Sequence, residues 1–131
     1  MFSHIYYGVS DFERAYSFYS KLMACLDIQE RFYDRDKPWA GWNSDSADGR
    51  PLFVISKPFN GQLHHAGNGQ MIAFTAKNRA IVNAAYDLAI ANGATCEGQP
   101  GLRNEYHQSY YGTYFRDVDG NKVCVVCHEV E

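Results

Sequence analysis

Side chains able to do chemistry are sparse in this sequence, and they gather at a few places. The first is the run from Gly98 to Ser109, Gly-Gln-Pro-Gly-Leu-Arg-Asn-Glu-Tyr-His-Gln-Ser, followed by Tyr110-Tyr111. Arg103 offers a planar fork that can grip a carboxylate or phosphate, and Tyr106, His107 and Tyr111 add hydrogen bonds and stacking area. Ordered loops of this length without regular structure are often functional. The alternative is a polar loop whose tyrosines shield a sheet edge. His4 is the second place. An imidazole there could give or take a proton, or it could simply hydrogen-bond inside a sheet. The third is Cys124-Val-Val-Cys127, which has C-x-x-C spacing. Strand alternation puts its two sulfurs on opposite faces, so buried thiols fit better than a redox or zinc pair. His64-His65 lies in a Gly/Asn-rich loop and reads as exposed. His128 has no partner in the sequence. No Ser/His/Asp set, P-loop or dinucleotide fingerprint is present.

The elements that must position these residues follow from periodicity. Residues 2–9 read as a strand. Ser10 and Glu13 have capping-box spacing, Asp11 is a further cap residue, and Phe12, Ala15, Tyr16, Tyr19, Leu22 and Met23 recur at helical spacing to about residue 25. Strands follow at about 28–34, 38–42 and 52–56, with a polar turn containing Asp48-Gly49. Trp39 and Trp42, three apart in one strand, face opposite sides. Residues 57–69 are loop-like. The pattern then begins again: a strand over 71–76, an Asn78 cap, and a helix carrying Ile81, Val82, Ala85, Leu88 and Ala89 that stops at Gly93. Residues 94–97 make a short strand, 98–109 a loop, and two strands at about 111–116 and 122–128 form a hairpin around Asp119-Gly120.

The order strand, helix, then up to three strands thus occurs twice. It predicts an α+β domain over 1–131 built from a duplicated βαβββ module, the first about 1–60 and the second about 69–128. The alternative is an α+β sheet without repeat symmetry. The 131 residues are 46% hydrophobic and 15% aromatic, which argues against disorder and for strands or a cavity with aromatic walls. A net charge of -3 with no basic run excludes nucleic acid and anionic membrane as natural partners. No basic n-region, apolar h-region or long apolar run appears, so a soluble, cytoplasmic protein is expected.

Several segments resemble the vicinal oxygen chelate superfamily of glyoxalase I, bleomycin-resistance proteins and extradiol dioxygenases. They are His4 in the first strand, Asp11 with Ala15, Phe18-Tyr19 and Leu22 in the first helix, and Met71-Ile-Ala-Phe74. Tyr114-Phe-Arg-Asp-Val-Asp-Gly-Asn121 is the most specific, with Val118 where the family usually has Pro. Pro100-Gly-Leu-Arg103 and Tyr110-Tyr111 resemble small bacterial glyoxalase-like members. The resemblance implies two βαβββ modules forming a curved mixed sheet around one cavity. On it, His4 and Tyr6, Phe53 and Ile55, Met71 and Ala73, and Cys124 and Val126 point inward.

The family's enzymes hold a divalent metal at four such positions, which here fall on His4, Phe53, Met71 and Cys124. One hard ligand among four does not suit Ni, Zn, Fe or Mn, so no metal or other cofactor is expected, although a divalent metal stays open. The implied function is binding of a small aromatic or amphipathic molecule. His4 would be its titratable group, and Tyr6, Phe53, Met71, Arg103, Tyr106, His107, Tyr111 and Cys124 would contact the ligand. The alternative is a glyoxalase- or dioxygenase-like lyase or oxidoreductase with an atypical metal site. Small members of the family usually pair, and exposed strand edges need cover, so a homodimer is expected.

Overall fold

Both helices start where a short polar side chain can take up an orphan backbone N–H. The structure, a computed structural model, describes residues 1–131. Helix α1 (Phe12–Cys25) is capped by Asp11, whose carboxylate accepts the Arg14 backbone N–H at 3.2 Å. Asp11 rather than Ser10 thus fills the cap. Helix α2 (Arg79–Ala91) is capped by Asn78, whose side-chain oxygen accepts the Ile81 N–H at 2.9 Å. Its chain leaves through Gly93 at φ +99°, a conformation that a side chain would oppose. The apolar stripe of α1 buries Phe12, Ala15, Phe18, Tyr19, Leu22 and Met23, and that of α2 buries Val82, Ala85 and Ala89.

Eight strands accompany the helices: β1 (His4–Gly8), β2 (Glu30–Asp34), β3 (Trp39–Trp42), β4 (Leu52–Ser56), β5 (Ile72–Thr75), β6 (Thr95–Leu102), β7 (Tyr111–Arg116) and β8 (Lys122–Cys127). They form two four-stranded mixed sheets, ordered β1-β4-β3-β2 and β5-β8-β7-β6. In each sheet the first and last strands of a βαβββ module pair in parallel and the other pairs are antiparallel. The fold is α+β with two tandem modules, and the chain divides into the units Met1–Ala66 and Gly67–Glu131. Neither helix is long and apolar enough to cross a membrane.

Register decides which side chains share a face. In the first module Ile5 pairs with Phe53 and Tyr7 with Ile55, so these four share one face, while His4 and Tyr6 share the other with Leu52 and Val54. Phe53 packs on Tyr19 of α1, with ring centroids 5.0 Å apart, and stacks on Trp42 at 5.7 Å. The expectation that Phe53 and Ile55 stand beside His4 and Tyr6 is therefore corrected: they belong to the helix side. Trp42 is buried on that side too, whereas Trp39 faces the other way against Phe32 at 4.6 Å.

In the second module the helix side holds Ile72, Phe74, Val123, Val125 and Phe115. The opposite face holds Ala73, Cys124, Val126 and Tyr114, with Met71 continuing its alternation just before β5. The predicted loop over 98–109 is shorter than expected, because β6 runs on to Leu102. Register shifts on either side of Gly98 absorb the glycines and Pro100 in an edge strand, where a missing N–H is tolerated.

The β7–β8 turn is built from its own side chains. One carboxylate oxygen of buried Asp117 accepts the backbone N–H groups of Asp119 at 2.8 Å and Asn121 at 2.9 Å. The Asn121 amide donates to the other at 3.2 Å. Gly120 takes φ +86°. The second half of the segment that most closely resembles the family, Asp117 to Asn121, is thus a self-bonded turn.

Candidate functional site

On the face of the second sheet away from α2, β7 and β8 bring Tyr114 directly opposite Cys124. The Tyr110 ring folds back over Gly112. A Cβ at Gly112 would meet Tyr110 Cε1 at 2.9 Å, so only glycine leaves the ring its place. The Tyr110 hydroxyl then lies 2.9 Å from the Tyr114 hydroxyl and 3.6 Å from Cys124 Sγ. Burial pushes the Cys124 thiol up, as it does the Tyr114 phenol. It pushes Tyr110 far above the ordinary phenol range, helped by the bonds to Tyr114 and Cys124. All three groups are therefore protonated near neutral pH. A neutral thiol is neither a nucleophile nor a metal ligand, and Cys124 has no exposed surface. The cluster can donate and accept hydrogen bonds but is poorly suited to covalent chemistry.

Arg103 stands next to it. Its guanidinium donates to the Leu102 carbonyl at 3.3 Å and the Gln99 carbonyl at 2.7 Å, and it lies over the Tyr114 ring, 5.6 Å from the centroid. Gly98 and Gly101 make room: a Cβ on either would come within 3.3 Å or 3.0 Å of the guanidinium nitrogens. These bonds use two of a guanidinium's five N–H donors, which leaves three. No carboxylate pairs with it. Glu97, the acidic residue of the same strand, is bound to Arg116 at 2.9 Å, which holds its carboxyl below the usual range. Lys122 brings a second cation to the Tyr114 ring, 5.7 Å from the centroid.

The chain between Arg103 and Tyr110 is closed by the Arg103 N–H bonded to the Tyr110 carbonyl at 2.8 Å. Tyr106 packs on Tyr110 at 4.8 Å and is itself exposed. His107 Nε2 lies 2.8 Å from His128 Nδ1, and the two rings stack. Tyr111 departs from expectation. It points to the helix side, its hydroxyl donating to Asn83 of α2 at 2.8 Å and its ring lying under Arg79. One residue along a strand reverses the face, so Tyr111 cannot share a ligand with Arg103.

The first module has its own polar groups on the corresponding face. His4 is exposed and its Nδ1 lies 3.1 Å from the Ser3 hydroxyl; Tyr6 donates to the Lys57 carbonyl at 2.9 Å. His64 is half-buried, contrary to its reading as an exposed loop residue, with Nδ1 2.7 Å from where a Gly8 Cβ would be. Tyr114 and Lys122 beside Arg103, and His128 beside His107, are neighbours that the sequence reading does not name, and hairpin register is the signal that would find the first two. No three His, Cys, Asp or Glu side chains come together as a metal-binding group. Of the four family metal positions, Phe53 faces α1, Met71 is a thioether, Cys124 is a protonated thiol under Tyr110, and His4 alone has a suitable donor. These residues do not fit a divalent ion.

A sequence model of the Glyoxalase/Bleomycin resistance protein/Dioxygenase superfamily matches residues 1–125. The solved structure of a glyoxalase/bleomycin resistance protein from Albidiferax ferrireducens T118 is 35% identical, covers 98% of this chain and 99% of that one, and gives a TM-score of 0.84. A family enzyme from Burkholderia phytofirmans PsJN is 17% identical over 97% and 98% of the two chains, with a TM-score of 0.71. A fosfomycin resistance protein from Listeria monocytogenes is 16% identical over 99% and 94%, with a TM-score of 0.65. At such identities the last two show the fold alone. No curated protein matches the chain.

Proposed function

Because the chain belongs to the glyoxalase/bleomycin resistance protein/dioxygenase superfamily, we propose that it binds a small organic anion at the Arg103–Tyr114 face, without the superfamily's usual divalent metal. The observation that carries this reading is the Arg103 guanidinium. It is fixed by two backbone carbonyls and a ring, it has three donors to spare, and no carboxylate compensates it. An acid group would take those donors, with the Tyr110 and Tyr114 hydroxyls adding neutral hydrogen bonds. An apolar body would lie on Tyr106 and Met71, which are 62% and 44% exposed. His4, with Ser3 as its hydrogen-bond contact, is left out of the binding step. We also propose that the protein is a homodimer.

Two measurements test the reading. Titration with benzoate and with benzyl alcohol, which differ mainly in charge, should show binding of benzoate alone. Equal binding of the two would count against an anion site. Metal analysis of the purified protein should show no stoichiometric Ni, Zn, Fe or Mn. Any of these near one per chain would favour a glyoxalase- or dioxygenase-like enzyme with an atypical site.

A further inference from the structure

His107 and His128 lie outside the anion site, yet they grip the loop that carries it. The Ser109 backbone N–H points at His107 Nδ1 from 3.2 Å. A backbone N–H can only donate, so His107 Nδ1 presents a lone pair and the ring proton sits on Nε2. That proton lies in the 2.8 Å gap to His128 Nδ1, which must also present a lone pair, and the His128 proton is then on its own Nε2. Only one arrangement satisfies both bonds, and in it both rings are neutral.

A third proton has no place in this chain of bonds. On His107 Nδ1 it would meet the Ser109 N–H, and on His128 Nδ1 it would meet the His107 Nε2–H. Either position breaks a bond. The same constraint opposes a metal ion shared by the pair, because an ion on His107 Nε2 would drive the ring proton onto Nδ1. What the pair holds is Tyr110. That ring stands edge-on to His107 at 5.6 Å and to His128 at 5.4 Å, and its hydroxyl reaches Tyr114 and Cys124. Tyr110 is the titratable side chain in contact with the two imidazoles, and it stays protonated, so the imidazoles are where an added proton acts.

We infer that His107 and His128 are positioning residues for the anion site, and that acid releases the Arg103–Tyr110 loop which they hold shut. The effect on ligand binding rests on the reading of Arg103 given above; the effect on the loop does not. The closed loop binds two ring protons and the open loop can bind more, so a falling pH draws it open.

The test uses the whole chain and the His128→Phe variant, which keeps a ring against Tyr110 but removes the acceptor. Long-range proton–nitrogen NMR at pH 8 should place the protons of His107 and His128 on Nε2. The Ser109 and Tyr110 amides, corrected for intrinsic exchange, should be protected at pH 8 and lose protection by pH 5.5. In His128→Phe they should be poorly protected already at pH 8. Benzoate, charged throughout this range, should bind about fivefold more weakly at pH 5.5 than at pH 8 in the natural chain, as loss of one hydrogen bond implies. A His107 proton on Nδ1, protection that ignores pH, or unchanged protection in the variant would overturn the inference. If benzoate binds at neither pH, the anion site fails, while the tautomers and amide protection still decide the latch.

Discussion

At the scale of residues, Arg103 has given up much of its freedom before any ligand arrives, since Gln99, Leu102 and the Tyr114 ring already hold it. Preorganisation of this kind lowers the cost of binding. Arg103→Gln should therefore weaken benzoate binding by about 1.5–3 kcal/mol, the usual worth of a charge-assisted hydrogen bond. Titration calorimetry checks it, and an unchanged affinity would remove Arg103 from the site. Cys124 supports a second expectation. Its thiol is buried and pushed up, whereas Cys96 is exposed. A thiol-labelling reagent at pH 7.5 should modify Cys96 quickly and Cys124 only on the timescale of unfolding. The pH dependence of stability has a definite sign. Cys124, Tyr110 and Tyr114 all keep their protons more tightly folded than unfolded. Stability is thus intact below the unfolded thiol's value, about 8.5, and is lost as pH rises from there through the phenol range. The melting temperature should fall between pH 8 and pH 10.5, and a flat profile would contradict the protonation states described.

Among the elements, the side of the sheet that Phe53 occupies carries the largest consequence. Phe53→Ala would empty a space lined by Tyr19, Trp42 and Tyr7, at a cost of about 3–5 kcal/mol in chemical denaturation. A loss below about 1 kcal/mol would place Phe53 on the other face after all. Loss of the α2 cap in Asn78→Ala should cost about 1 kcal/mol. Both helices and all eight strands are legible in the sequence, the sixth only over its first residues, because caps, helical spacing and Asp-Gly turns act locally. The Phe53 face is not. The family resemblance alone assigns Phe53 its face, and a resemblance says nothing about the parity of the parallel β1–β4 pairing. That register, His4 opposite Leu52, is a long-range property. The far end of β6 is hidden for a similar reason: Gly98, Pro100 and Gly101 look like loop residues until an antiparallel partner accepts them with shifts in register. The His107–His128 contact joins residues far apart in the chain, and no local pattern announces it.

For the molecule as a whole, every strand finds its partners within its own module. Each sheet therefore ends in two edge strands, β1 and β2 in one and β5 and β6 in the other, whose outer backbone groups have no strand partner. Such edges are a liability unless they are short, irregular or covered. β6 is irregular through its register shifts, but β1 and β5 are regular. A homodimer is the association that would give them cover, so mass measurement in solution should find twice the 14.9 kDa chain at micromolar concentration. A mass of the single chain would exclude it.

The Asp117–Asn121 turn bears on how kinship among such chains should be weighed. Asp117 and Asn121 bond each other and the turn's own backbone, so the five residues from Asp117 to Asn121 serve to reverse a hairpin. Two sequences that share them share a way of turning a corner. Tyr114 and Cys124 of the candidate site stand on the strands beyond that turn, so the corner that marks kinship and the side chains that would meet a ligand are different residues of one hairpin.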